Sequence, residues 1–183
     1  MTFSKPGLKW YFVAATSYLT SIHAIHFVSG HPSQWSNPTA NERILSLFAS
    51  KAHITFSILT VGLRPVQLLA PVRTRWPSVH VWLGRVYILG VIGGGIFGLR
   101  ASFTTNTFPQ EHYFFLALSL YWLYTIGHDL RAIWRKDIAG HKRWMTRNYI
   151  LSYCATLIRA ELAVLAAMGW TEKKALTVTS ITS

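Results

Sequence analysis

The chain has 183 residues, of which 51% are apolar and 14% aromatic, while only 13% are charged, about half the share usual in soluble domains. Lys and Arg number 18 against 6 Asp and Glu, a formal net charge of +12. So apolar a chain is not disordered. A lone cysteine, Cys154, builds no disulfide scaffold. Nucleic acid is not the expected partner either, because a soluble binder rarely joins so few charges to so many apolar residues. What remains is an integral membrane protein with basic loops, whose first partner is the lipid bilayer.

A helix needs about 20 residues to cross ~30 Å of hydrocarbon. No Lys, Arg, Asp or Glu stands between Lys9 and Glu42, which predicts a first span over roughly 8–29 and a Ser-, Pro- and Asn-rich loop over 32–41. That span is too long for a signal-peptide core and no Ala-x-Ala site closes it, so it reads as a retained helix. A second span covers roughly 43–69, with Lys51, His53 and Arg64 inside it. A third, glycine-rich, covers roughly 80–103, and Thr104–Pro109 form a loop. A fourth, strongly aromatic, covers roughly 110–134; a fifth, roughly 141–168, contains Arg159 and Glu161. A polar tail, 169–183, follows. Residues 1–183 thus read as a single all-α transmembrane domain, a bundle of about five helices.

Two segments carry eight of the 18 basic residues. Arg73 and Arg75 lie in 70–80, and Arg131, Arg135, Lys136, Lys142, Arg143 and Arg147 lie in 131–147. Five alternating helices bring both segments to one side, with the N-terminus cytoplasmic and the C-terminus opposite. A weak repeat accompanies them. His80…Arg85-Val-Tyr87-Ile-Leu89 opens the third span and His141…Arg147-Asn-Tyr149-Ile-Leu151 the fifth, as in a duplicated helical hairpin. Gly90-x-x-x-Gly94-x-x-x-Gly98 has the spacing of a close helix contact.

Ionisable groups inside spans are costly and therefore functional candidates. Sorted by depth, they form two layers. The outer layer holds His23, His26, Arg100, Glu111, His112, Arg159 and Glu161, with Lys51 and His53 slightly deeper. The inner layer holds Arg64, His80, Arg85, His128, Asp129, Arg131, His141 and Arg147, read chiefly as interface residues, with His128-Asp129 the exception. The site is expected in the outer half.

Three chemistries could use these groups. Bis-histidine haem b needs imidazoles at equal depth on facing helices, and His53, His80, His128 and His141 are the candidate ligands. His23-x-x-His26 puts two imidazoles on one helical face, a candidate for a divalent metal. Without any cofactor, Glu161, Arg159, Arg100 and His112 could position and protonate a lipophilic small molecule. The first reading is a haem-dependent membrane oxidoreductase. Its alternative is a cofactor-free cyclase- or isomerase-type enzyme, and a proton pathway or transporter is the third.

His53…Gly62-Leu-Arg64-Pro-Val-Gln67…Arg73-x-Arg75-x-Pro77-x-x-His80-x-Trp-Leu-Gly-Arg85-x-Tyr87, followed by His141-x-x-Trp-Met-x-Arg147-x-Tyr149, resembles the membrane-protein family called domain of unknown function 2306. The resemblance covers roughly 45–165 and implies a small multi-helix membrane fold with no settled activity. His80-x-Trp-Leu-Gly84 is also similar to the histidine motif of the ascorbate-dependent dihaem cytochrome b family, which implies histidine-ligated haem.

Overall fold

The structure, a computed structural model, describes residues 7–29, 48–105 and 109–167, without the side chains of 104, 105, 109–111, 155 and 159–167. All regular elements among them are helices: α1 (Leu8–Val28), α2 (Phe48–Leu68), α3 (Ala70–Thr74), α4 (Pro77–Thr105), α5 (Pro109–Trp134) and α6 (Ile138–Ala167). Each long helix lies on one predicted span. The predicted loop 32–41, residues 43–47 and the tail 169–183 fall outside the described residues. One difference is α3, a single turn inside a predicted loop, where Pro71 at the start of the turn supplies a φ already suited to a helix.

Neighbours in sequence pack antiparallel. α2 meets α4 most extensively, α4 meets α5, α5 meets α6, and α6 returns to touch α1 and α2 more sparsely. Glycines set the closest approaches. A Cβ on Gly90 would come 2.8 Å from Thr60, on Gly94 2.9 Å from Trp122, and on Gly98 2.9 Å from both His53 and Ser119. The glycine ladder of α4 therefore admits α2 on one side and α5 on the other. Pro65 lies inside α2 and removes a helical N–H. Its own carbonyl accepts the Trp10 indole N–H at 2.9 Å, which ties α1 to α2.

The two hairpins, α2–α4 and α5–α6, repeat their contacts. Gln67 Nε2 donates to the His80 carbonyl at 3.1 Å, and His141 Nδ1 donates to Asp129 Oδ1 at 2.7 Å. Thr60 touches the Gly90 position while Trp122 Nε1 donates to Ser152 Oγ at 2.8 Å. Arg85 lies 5.0 Å over the Trp82 ring and Arg147 4.5 Å over the Trp144 ring. Tyr87 and Tyr149 meet edge to face at 5.3 Å.

The distribution of polarity is inside out. Leu8, Phe12, Leu19, Ile22, Phe103, Tyr113 and Trp134 are exposed, whereas Ser17, Thr60, Arg64, Gln67, Thr125, Asp129 and Asn148 are buried. By length and composition, one described helix segment, Pro77–Phe103, is apolar enough to cross a membrane. The other long helices carry a larger share of Ser, Thr, His and charged residues, which lower their mean hydropathy.

Candidate functional site

The larger buried polar side chains, Arg64, Gln67, Asp129 and Asn148, lie toward the end of the bundle where α2 and α5 finish and α4 and α6 begin. At its centre Tyr87, Val91, Trp122 and Ile126 pack together. A hydrogen-bonded web runs through them. The Tyr87 hydroxyl donates to Asn148 Oδ1 at 2.6 Å, Asn148 Nδ2 donates to Thr125 Oγ1 at 2.8 Å, and Ser152 Oγ donates to the Asn148 carbonyl at 2.8 Å. Between α5 and α6 this web supplies the directional contacts that apolar surfaces in lipid lack.

Next to the web sits Asp129, 0% exposed. Its Oδ1 accepts from His141, and its buried Oδ2 has no partner among the described residues. The bond fixes His141 with Nδ1 protonated, so Nε2 is the acceptor of the neutral ring. His80 lies within electrostatic range of His141 and Arg73, and its own buried Nδ1 has no hydrogen-bond partner among the described residues. His80 and His141 thus lie within electrostatic range of each other at the heads of the two hairpins.

Arg64 is the largest fully buried side chain, 2% exposed. Its guanidinium lies 5.3 Å over the Tyr153 ring and 5.9 Å over Tyr149, and none of its three nitrogens has a hydrogen-bond partner among the described residues. The interface reading of this residue therefore fails: its helix position turns it into the bundle toward α6, where a snorkelling route to water is closed.

The other candidates are placed as follows. His53 is half-buried against Gly98 and donates from Nδ1 to the Gly94 carbonyl at 2.7 Å; His112 donates likewise to the Ser102 carbonyl at 2.7 Å. Those carbonyls are eight residues apart, about 12 Å along α4, so His53 and His112 are not at one depth. His128 is held between the Tyr124 and Trp144 rings, 4.4 Å from each, on the face of α5 turned from Asp129. His23 and His26 are exposed on α1, and Arg100 is exposed on α4. The side chains of Arg159, Glu161 and Glu111 lie outside the described residues. Among the described residues no three His, Cys, Asp or Glu side chains gather as a metal site.

In the sequence His80, His141 and Asp129 stand out, whereas Arg64 reads as an interface residue and Gln67, Tyr87 and Asn148 have no assigned role. Spacing held a signal for two of them: Arg64 and Gln67 are three apart, hence on one helical face, in a stretch with no acid nearby.

An α-helical bundle with an apolar exterior and an ionisable interior is the architecture of a helical membrane protein. Residues 51–183 match the family described as predicted membrane protein (DUF2306), and the chain belongs to it. Neither a curated protein nor a solved structure matches the chain.

Proposed function

We propose that the chain is a multi-pass membrane enzyme of about five spans, built from a duplicated hairpin, whose acid–base centre is Asp129–His141 with His80 beside it. The observation that carries this reading is Asp129, fully buried, with one oxygen on His141 and the other unpartnered. A buried carboxylate costs several kcal/mol unless its oxygens are satisfied. Asp129 orients the imidazole and stabilises it when it takes a proton, and Nε2 is the atom that exchanges protons with a bound molecule. Tyr87, Val91, Trp122 and Ile126 pack beside the centre and the bundle exterior is apolar, so the substrate is read as lipophilic and reaches the centre from the bilayer. No cofactor is needed for such a step. The outer-half groups Glu161, Arg159, Arg100 and His112 are the alternative acid–base set.

A mixture of lipids can stand in for the substrate in the test. Purified protein incubated with a lipid extract in D₂O is expected to place deuterium on carbon in particular lipid species, read by mass spectrometry. Asp129→Asn and His141→Gln are expected to lower that exchange about 100-fold or more. Full exchange in both variants sinks the assignment, and loss in Glu161→Gln alone moves the centre to the outer layer.

A second reading, haem b, is favoured by one observation: His80 and His141 lie within electrostatic range of each other, one residue out of register in the repeat, and a carboxylate orients His141 as it orients metal-bound histidines. They would hold the haem at the bundle end, since Tyr87, Trp122 and Ile126 fill the interior beside them. Haem would supply one-electron chemistry. A Soret band that shifts on reduction and is lost in both His80→Ala and His141→Ala supports this reading; a colourless preparation ends it. His53, His128, His23 and His26 as ligands make the same spectrum or metal content sensitive to their own removal.

A further inference from the structure

We infer that Arg64 is the anchor for an anionic oxygen group, a carboxylate or phosphate carried by a lipid-soluble molecule. This deepens the reading above by giving the lipophilic substrate an acidic headgroup, and rests on it for the catalytic role only.

The titratable groups facing Arg64 are the phenols of Tyr87, Tyr149 and Tyr153 and the Cys154 thiol. None is a carboxylate, and the sole ion pair among the described residues joins Asp129 to His141. A guanidinium carries five N–H donors in a fixed fork and stays protonated. Buried with no anion and no hydrogen bond, it is among the most expensive arrangements a bundle can hold. Two tyrosine rings give it cation–π contact, which does not replace an anion. Its planar fork matches a carboxylate or phosphate with two parallel hydrogen bonds.

The surroundings point the same way. Ser17 and Ser21 on α1 and Thr156 on α6 are buried hydroxyls without partners among the described residues, on the two helices that flank this part of α2. An oxyanion accepts from hydroxyls as readily as from a guanidinium. The route in is the seam where α6 meets α1 and α2, the most sparsely packed junction of the ring. It is bridged by Tyr153, whose hydroxyl donates to Thr16 Oγ1 at 2.5 Å while the Thr16 hydrogen is directed to its own helix. An acyl chain left in the bilayer while the headgroup passes this seam would suit a ligand with one acidic end.

The experiment compares the wild-type chain in detergent or vesicles with Arg64→Met and Arg64→Lys, reading thermal unfolding as probe is added. The probes are oleate, phosphatidylcholine vesicles with and without phosphatidylglycerol, and inorganic phosphate. A saturable rise in wild-type Tm of several degrees with at least one probe is expected. Oleate or phosphatidylglycerol alone assigns the group to a lipid, and phosphate alone to a free anion. In Arg64→Met the rise is expected to vanish, while the probe-free protein melts no lower than wild type, because an apolar side chain of similar length relieves an unpartnered charge. Arg64→Lys keeps the charge without the fork and should bind at least tenfold more weakly. No rise with any probe in the wild type, an undiminished rise in Arg64→Met, or failure of Arg64→Met to fold each overturns the proposal, the last because it means the charge is already satisfied within the bundle. Asp129→Asn should keep the rise, so loss of exchange chemistry and loss of binding are read separately.

Discussion

Lys136 has a backbone φ of 58°, in the left-handed region, at the turn between α5 and α6. The turn closes α5 with two hydrogen bonds, Asp137 N–H to the Ala132 carbonyl and Lys136 N–H to the Ile133 carbonyl, both at 2.9 Å. This is the Schellman arrangement, in which glycine is the favoured residue at the left-handed position. Asp137 then caps α6, its Oδ1 accepting from the Gly140 N–H at 2.8 Å. Lys136→Gly is expected to stabilise the protein by about 1 kcal/mol, and Asp137→Ala to destabilise it by about 1 kcal/mol. Equilibrium unfolding in mixed micelles reads both. The turn matters to the site because it sets the register that brings His141 back to Asp129, and Asp137→Ala should therefore also lower exchange at the centre.

Between elements, the glycines of α4 decide how closely the bundle closes. A Cβ on Gly95 would lie 2.5 Å from Leu123, and one on Gly98 2.9 Å from His53 and Ser119. Gly95→Ala and Gly98→Ala are each expected to cost about 1–3 kcal/mol through overpacking. Gly127→Ala on α5, where a Cβ would meet nothing within 4 Å, should be neutral or slightly stabilising. Equal effects at all three positions would mean that the glycines serve no close contact. The helices themselves are legible in the sequence because long apolar runs broken by Pro and Asn clusters have one solution in lipid, and Gly90, Gly94 and Gly98 announce their contact by spacing. Arg64 is different. Charge near a helix end reads as interface, and its true environment depends on Tyr149 and Tyr153, some ninety residues further on, which no local pattern reports. His80, His141 and Asp129 are visible as ionisable residues, but the bond between His141 and Asp129 is visible only once α5 and α6 are folded back.

For the molecule as a whole, the exposed basic residues Arg73, Arg75, Arg131, Arg135, Lys136, Lys142 and Arg143 gather at the end where α4 and α6 begin. The polar centre lies just inside the same end. If that end faces the cytoplasm, as the positive-inside rule requires, the proposed acid–base centre lies toward the cytoplasmic side and the acyl part of the proposed ligand reaches it through the inner leaflet. Cysteines introduced at Thr74 and Arg135 in a Cys154→Ser background are expected to react with a membrane-impermeant maleimide only after permeabilisation of intact cells. One at Thr107, between α4 and α5, should react without it. Labelling of positions 74 and 135 from opposite sides would break the alternation of the helices, and with it the common orientation of the two hairpins. Extraction of the chain from membranes by carbonate alone would end the multi-pass reading. If the labelling comes out as expected, both hairpins enter the bilayer from the same side, and His80 and His141, within one residue of equivalent positions in the repeat, come to nearly the same depth.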